Sequence, residues 1–253
     1  MAYFKAIIYG DNLELFNYEK NPVPPRHATR RLKKRVELSN LVEGVEPPNV
    51  LQIKKRQDSV RHAVLAFKRL ILANLAGCLP PLFFTFTYSE NQTNLGIAYK
   101  DFEAFIKRMR YKFGQDFSYI AVPEFQKRGS VHFHTLFWGL PSDLCKTERR
   151  TRLVASLWRK GFIDVIETDG NDKLSSYLAK YMSKSYADQR LYAKKAYRCS
   201  RNIVRPVVES PLAGSWFLRD VYPQYFIDPP CVDKEFLTQW CGKGRFRLYK
   251  QNK

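Results

Sequence analysis

The sequence predicts an α+β domain built around a central, largely antiparallel sheet that is flanked by helices. From residue 82 onward, stretches typical of strands and helices follow one another in the order β-α-β-β-α-β-α. Two successive strands in this order are joined by the short turn Gln126–Gly129. A turn of that length connects antiparallel strands, whereas a parallel sheet requires a helical crossover between its strands.

Each predicted element has a local signal. Apolar residues recur at helical spacing in the helices, and runs rich in aromatic and β-branched residues indicate the strands. Asp58 or Ser59 is expected to cap the first helix, and Gly161 is expected to end the third. The predicted elements are a helix over 58–75, a strand over 82–88, a helix over 97–113, strands over 118–125 and 131–138, a helix over 147–160, a strand over 162–167 and a helix from about residue 173.

Two basic segments flank this domain. We divide the chain into a basic, proline-containing N-terminal extension (1–57), the domain with its leading helix (58–200) and an aromatic and basic C-terminal extension (201–253). The N-terminal extension is irregular by composition, and its arginine and lysine cluster either follows a phosphate backbone or is a solvated arm. The aromatic residues of the C-terminal extension are expected to pack back on the domain.

The charge of the chain indicates a polyanionic partner. It contains 43 Lys and Arg against 24 Asp and Glu, which gives a net charge of +19. A field of this sign attracts nucleic acid. No apolar run is long enough to span a membrane and the first residues lack a signal-peptide pattern, so we expect a soluble, intracellular protein without membrane contact. The cysteines are scattered without a Cys-x-x-Cys pair, which argues against a zinc ribbon or a disulfide framework.

The stretch SVHFHTLFW places two of the four histidines on one predicted strand. Because side chains alternate along a strand, His132 and His134 share one face, about 7 Å apart at the backbone, and Phe133 lies on the other. Glu124 on the preceding strand lies opposite His132 in one register of the turn and opposite His134 in the other. Two imidazoles and one carboxylate form a candidate metal site, although the same pair could face solvent or satisfy hydrogen bonds in the core.

A second candidate group lies on the last predicted helix, which carries Tyr177, Lys180, Tyr181 and Lys184. Each lysine follows a tyrosine by three residues, so each phenol has a cation within one turn. A nearby ammonium favours the phenolate, which makes a tyrosine with its usual pKa near 10 a better nucleophile. Tyrosines at this spacing also occur in cores, and lysines on solvated faces or as phosphate clamps.

These motifs carry a family resemblance. The HFH motif of His132–His134 resembles the histidine-hydrophobic-histidine motif of HUH endonucleases, with Glu124 at the spacing of their third metal ligand. The FTFT stretch of Phe84–Thr87 resembles the first motif strand of rolling-circle replication initiators (Rep proteins). Tyr177–Lys180 resembles their catalytic tyrosine motif, and the tandem over Tyr177–Lys184 is similar to the two-tyrosine form of microvirus replication initiators. The motifs occur in the family's order.

The resemblance implies the HUH endonuclease fold, an RRM-like palm in which the histidine strand lies in the sheet and the tyrosine helix packs across it. It implies an enzyme that binds single-stranded DNA, often an origin hairpin, and nicks it through a 5′-phosphotyrosine link. The nick leaves a 3′-hydroxyl for a polymerase, and the same site later rejoins the ends. The implied ligands of Mg²⁺ or Mn²⁺ are Glu124, His132 and His134, and histidine ligation favours Mn²⁺.

The resemblance also implies that Tyr177 and Tyr181 are nucleophiles assisted by Lys180 and Lys184. Tyr177 is our preferred first nucleophile, although the pattern around Tyr181 matches almost as well. The second tyrosine either performs alternate nicks or supports the first.

Basic residues interleaved with aromatic residues follow the tyrosine helix, a composition that suits single-stranded DNA, although a solvated basic helix would have it too. The candidate DNA contacts are Arg190, Lys194, Lys195, Tyr197 and Arg198. No Gly-x-x-x-x-Gly-Lys-Ser/Thr loop occurs in the sequence, so we expect a prokaryotic host to supply a helicase as well as a polymerase. A transposase or a conjugative relaxase would use the same chemistry, and a non-catalytic single-stranded DNA-binding protein is the alternative from another class.

Overall fold

The computed structural model describes residues 3–20, 22, 50–141, 144, 148–191, 195–209, 216–238 and 241–251. The side chains of 50–57, 148–150, 186–187, 189 and 216 are outside this description. The chain divides into two compact units. The central unit is Ser59–Arg205, and the terminal unit combines Met1–Asp58 with Pro206–Lys253. The basic cluster of the N-terminal extension, between residues 30 and 35, lies outside the described residues.

The elements of both units follow in chain order. They are β1 (Tyr3–Tyr9), β2 (Asn12–Tyr18), α1 (Val50–Leu75), β3 (Leu82–Tyr88), α2 (Leu95–Phe113), β4 (Ser118–Phe125), β5 (Val131–Trp138), α3 (Glu148–Trp158), β6 (Gly161–Glu167), α4 (Lys173–Ala187), β7 (Arg198–Cys199), β8 (Val207–Glu209), α5 (Trp216–Val221), β9 (Val232–Thr238) and β10 (Gly242–Lys250). Short 3₁₀ turns cover Gln189–Leu191 and Pro223–Tyr225. None of the described helices combines the length and the apolar character that crossing a membrane requires.

The central unit contains a five-stranded sheet in the order β6-β3-β5-β4-β7, and all its neighbours pair antiparallel. The predicted α+β class with a central antiparallel sheet is therefore confirmed. Strands β3, β4 and β5 begin and end at the predicted residues. Their agreement follows from short turns and strong local patterning, which leave little choice of boundary.

The two faces of the central sheet are covered by different helices. Phe133 and Phe137 of β5 pack with α2 and α3 in one core cluster. Leu136 and Trp138 lie on the other face, in a cluster with α1 and α4. His132 and His134 share the parity of Leu136 along the strand, so they lie on the same face as α1 and α4. We call this face of the central sheet the histidine face.

Two predicted helix starts were wrong. Helix α1 begins at Val50 rather than at Asp58, so neither Asp58 nor Ser59 caps it. Helix α2 begins at Leu95, because the side chain of Asn94 accepts hydrogen bonds from the backbone N–H groups of the first turn. The cap at Asn94 determines where this helix begins, whereas apolar spacing alone indicated a start two residues later.

The terminal unit corrects the expectation of an irregular N-terminal segment. Strands β1 and β2 form a hairpin in a five-stranded sheet with the order β8-β1-β2-β10-β9. The predicted N-terminal and C-terminal extensions thus share one sheet, in which β2 pairs with β10 from the far end of the chain. An isolated hairpin is marginal in water, and the C-terminal strands complete it. Aromatic residues of the C-terminal segment pack on this sheet, where the ring of Phe226 lies 4.8 Å from that of Tyr249.

Candidate active site

The turn between β4 and β5 determines which residues face each other. Glu124 pairs with His132, and Val122 pairs with His134, so one of the two expected registers is present. The backbone N–H of Gly129 donates to the carbonyl of Gln126 at 2.8 Å. Gly129 adopts a φ of 87°, a conformation that favours glycine, and this lets the chain reverse within the turn.

The carboxylate of Glu124 is held from two sides. His134 Nε2 lies 2.8 Å from Oε2, and Lys184 Nζ donates to Oε1 at 2.9 Å. Burial on its own would raise the pKa of Glu124, but the hydrogen bonds from Lys184 and His134 outweigh it and lower the pKa below the usual range. Glu124 is therefore an ionised acceptor that joins β4, β5 and α4.

Both histidines of β5 are buried and neutral at physiological pH. Burial lowers the pKa of His132 to about 4, and burial also lowers the pKa of His134 in spite of its contact with Glu124. His132 Nε2 and His134 Nδ1 are buried without a hydrogen-bond partner among the described residues. A buried polar atom without a partner costs free energy, and such atoms in a candidate site point to a ligand.

The donor set fits a divalent cation by its chemistry, because neutral imidazole nitrogens and an ionised carboxylate are common ligands of transition metals. The present contacts do not gather the three groups around one point. The rings of His132 and His134 are 6.4 Å apart between centroids, and the carboxylate of Glu124 is engaged by His134 and Lys184. Across the described ranges, no three His, Cys, Asp or Glu side chains are arranged to hold a metal ion as they stand.

The two tyrosines of α4 lie directly on the histidine face. The ring of Tyr181 stacks on the imidazole of His134, with centroids 3.6 Å apart and an interplanar angle of 23°. The hydroxyls of Tyr181 and Tyr177 are 2.9 Å apart, and the ring of Phe83 meets Tyr177 edge-on at 5.5 Å. Burial, followed by the hydrogen bond with Tyr177, raises the pKa of Tyr181. Tyr177 is 43% exposed, so its phenol is the more accessible one.

The two predicted lysines differ in their surroundings. Lys184 binds Glu124, and its Nζ lies 5.6 Å from the centroid of the Tyr181 ring. Lys180 is exposed on the same helix and forms no hydrogen bond or ion pair with a described residue. The structure therefore brings Lys184 into contact with the candidate ligands and the tyrosines, and leaves Lys180 at the surface.

An open cleft of about 680 Å³ lies beside these groups. Its walls include Glu124, His132 and Lys184 together with the β4–β5 turn. The turn contributes residues that were not predicted as part of the site: Phe125, Gln126, Lys127 and Arg128. The signal for them was the adjacent pair of cations in the turn. The guanidinium of Arg128 is held by the backbone carbonyl of Tyr88 at 2.9 Å.

Arg190 is the predicted DNA contact that lies nearest to this cleft. Its guanidinium carbon is 3.7 Å from the centroid of the Phe125 ring, and it forms an ion pair with Asp188 at 2.6 Å. Lys195 is exposed, and its backbone carbonyl accepts a hydrogen bond from Tyr99. Lys194 lies outside the described residues.

The remaining predicted DNA contacts are placed elsewhere. The guanidinium of Arg198 lies 3.9 Å from the ring centroid of Tyr99 and pairs with Glu103, both on α2, which covers the face opposite to the histidines. The ring of Tyr197 packs 4.8 Å from Phe67 in the core. The structure therefore does not bring these two side chains to the cleft, because strand β7 directs one of them to α2 and the packing of α1 covers the other.

Three comparisons with known proteins complete this description. Residues 81–186 match a family model of replication-associated proteins of the ORF2 type. This range runs from the start of β3 to the end of α4, and it contains the two histidines, Glu124 and both tyrosines. A search of curated proteins and a search of solved structures each found no match. The family match supports a rolling-circle replication initiator, a protein that would bind DNA.

Proposed function

We propose that this chain is a metal-dependent enzyme that nicks and joins single-stranded DNA and starts rolling-circle replication through a 5′-phosphotyrosine intermediate. The observation that carries the proposal is the contact between Tyr181 and His134, whose ring centroids are 3.6 Å apart. Through this contact the nucleophile helix α4 lies against the strand that carries the candidate metal ligands.

Tyr177 is the proposed first nucleophile. Its phenol is the more exposed of the two and forms a hydrogen bond with the hydroxyl of Tyr181 at 2.9 Å. The phenol oxygen would attack the scissile phosphorus in line with the leaving 3′-oxygen. The P–O3′ bond breaks, a P–O(Tyr) bond forms, and the 3′-oxygen takes up a proton to become the hydroxyl from which a polymerase extends.

Tyr181 is proposed to orient the first nucleophile. Its ring is fixed by stacking on His134, and its hydroxyl is the hydrogen-bond partner of Tyr177. After a round of replication, the reverse attack by a 3′-hydroxyl on the phosphotyrosine would rejoin the ends. The second phenol then either supports this step or takes the next nick.

Glu124, His132 and His134 are proposed to hold Mn²⁺ or Mg²⁺. When bound, the ion would polarise a non-bridging phosphate oxygen and stabilise the charge that develops on phosphorus. Lys184 neutralises the carboxylate of Glu124 and lies beside the Tyr181 ring. Lys127 and Arg128 in the cleft would hold the phosphates that flank the scissile one. A host helicase and polymerase would act on the nicked product.

The family match favours replication over a transposase or a conjugative relaxase, which would use the same chemistry. A non-catalytic DNA-binding protein would not require two phenols packed on a buried imidazole. A covalent adduct separates catalysis from binding.

The test is incubation of the chain with single strands from a candidate origin and Mn²⁺, followed by a denaturing gel. We expect a denaturation-resistant protein–DNA band that the combined change Tyr177→Phe and Tyr181→Phe abolishes. An adduct that persists in the double variant, or that forms with none of the origin strands, would refute the proposed chemistry.

A further inference from the structure

The sheet of the terminal unit carries a second surface with chemistry suited to a ligand. One of its faces packs on the C-terminal segment, where Phe4, Leu13 and Leu15 form a core cluster with Leu218 and Tyr225. The other face carries alternate residues of the same strands. At the end of the sheet near residues 3 and 18, this second face consists mainly of aromatic rings, and we call it the aromatic face.

The strand registers place one row of side chains straight across the aromatic face. Phe16 pairs with Lys5 on one side and with Phe246 on the other, and Phe246 pairs in turn with Lys234. The row therefore reads cation, ring, ring, cation across four strands. The rings of Phe16 and Phe246 lie 5.0 Å apart at 44°.

The next row adds three more rings. Tyr18 pairs with Tyr3 and with Gly244, and Gly244 pairs with Phe236. A Cβ at Gly244 would collide with the ring of Phe236, so the glycine lets that ring lie flat over the strand. The rings of Phe16 and Tyr18 are 6.4 Å apart and within 8° of parallel, and Phe236 meets Tyr18 edge-on at 5.8 Å.

These side chains are reachable. All five aromatic residues are partly exposed, as is Lys5, and Lys234 is exposed. Lys5 and Lys234 form no hydrogen bond or ion pair with a residue in the part of the chain that the structure describes. Neither row contains an acidic residue. Rings of this kind bordered by cations contact the bases and the phosphates of a nucleic acid strand together.

We propose that the aromatic face of the terminal unit is a second binding site for single-stranded DNA. Phe16, Tyr18, Phe236 and Phe246 stack on bases, and Lys5 and Lys234 contact the flanking phosphates. Duplex DNA is a poor occupant, because its bases do not expose their faces to rings on a flat sheet. The cations at both ends of the row favour a polyanion over an apolar protein surface. The choice of DNA rather than RNA rests on the replication-associated family match, whereas the surface itself is independent of the nicking chemistry.

Photocrosslinking of the full chain tests this site directly. The probes are a fluorescein-labelled oligothymidylate for anisotropy and the same strand with 5-iododeoxyuridine for crosslinking, both in EDTA so that no cleavage occurs. Crosslinked peptides that contain Phe16 and Tyr18, or Phe236, are expected. An RNA strand of equal length and composition measures the preference for DNA, and a preference for RNA would overturn the assignment of the ligand.

Two pairs of variants measure the contributions of the rings and the cations. Phe16→Leu with Phe246→Leu keeps apolar volume but removes the stacking surface, and it is expected to weaken binding roughly tenfold, since stacking of one base contributes that much or more. Lys5→Gln with Lys234→Gln is expected to reduce the slope of log affinity against log salt by about 1 to 2. The matched control, Lys20→Gln with Lys243→Gln, removes the same charge from the same unit outside the aromatic face.

Several outcomes would overturn the site. They are crosslinks confined to peptides of the central unit, ring variants that bind as tightly as the original chain, a control that matches the loss in the Lys5 and Lys234 variant, or ring variants that abolish self-association instead of binding. A thermal melt checks that the ring variants fold, and the lysine variants retain the test if they do not. The adduct assay remains a separate measurement, so a failure of this site is distinguishable from a failure of nicking.

Discussion

The phenol ring of Tyr181 lies 3.6 Å from the imidazole of His134, so two residues from different predicted motifs share one stacked contact. His134 also contacts Glu124, and Tyr181 also contacts Tyr177. A line of four side chains therefore runs from a candidate metal ligand to the accessible phenol. Each member of this line has an expected effect when it is changed.

The single tyrosine variants should separate the two phenols. Tyr177→Phe is expected to abolish the covalent adduct, because it removes the accessible nucleophile. Tyr181→Phe keeps the ring on His134 and removes one hydrogen bond, so we expect adduct formation to slow about threefold to tenfold. Single-turnover rates on a denaturing gel give both values. The opposite result, an adduct from Tyr177→Phe and none from Tyr181→Phe, would reverse the assignment.

The two strand histidines should determine metal affinity. Replacing His132 or His134 by Ala is expected to weaken Mn²⁺ binding at least about a hundredfold, since changes to groups that merely support metal ligands already cost up to that much. Calorimetry or Mn²⁺ electron paramagnetic resonance measures the affinity without DNA. His62→Ala is the matched control, because His62 is exposed on α1. Equal Mn²⁺ affinity in all three variants would place the metal elsewhere. EDTA should abolish the adduct, and Mn²⁺ should restore it better than Mg²⁺.

The two lysines of α4 should not be equivalent. Lys184→Met removes the partner of Glu124 and is expected to slow adduct formation at least about tenfold. Because 66% of the Lys184 side chain is exposed, the free energy of unfolding should change by less than about 1 kcal/mol. Lys180→Met is the comparison and should have the smaller effect on rate, since Lys180 contacts no described side chain. If Lys180→Met is the slower enzyme, then the exposed lysine contacts the DNA and is the more important cation.

Phe133 should stabilise the strand that carries the histidines. It is 1% exposed and packs 4.9 Å from Phe102 on the face opposite to the site. Phe133→Ala is expected to lower the free energy of unfolding by about 3 to 5 kcal/mol, measured by urea denaturation. Tyr111→Ala, at a ring that is 95% exposed, should change it by less than about 0.5 kcal/mol. A loss below about 1 kcal/mol at Phe133 would contradict its role in the core.

Much of the central unit could be predicted because its signals are local. Strand β5 and the preceding β4 are joined by a short turn, so both their boundaries and their pairing follow from nearby residues. The start of α2 depended on a single capping side chain, Asn94, and was placed two residues late. The terminal sheet was missed altogether, because β2 finds its partner β10 more than two hundred residues away. No local pattern specifies a pairing of that separation.

The sequence by itself determined the residue types of the candidate site and the face on which they lie. Strand alternation places His132 and His134 on one face, and helical spacing places Tyr177 next to Tyr181. Only the tertiary structure decided that Glu124, although opposite His132, directs its carboxylate to His134 and Lys184, and that Tyr181 rather than Tyr177 lies on the imidazole. The physical reason is that periodicity specifies directions within one element, whereas contacts between elements depend on how α4 packs across the sheet.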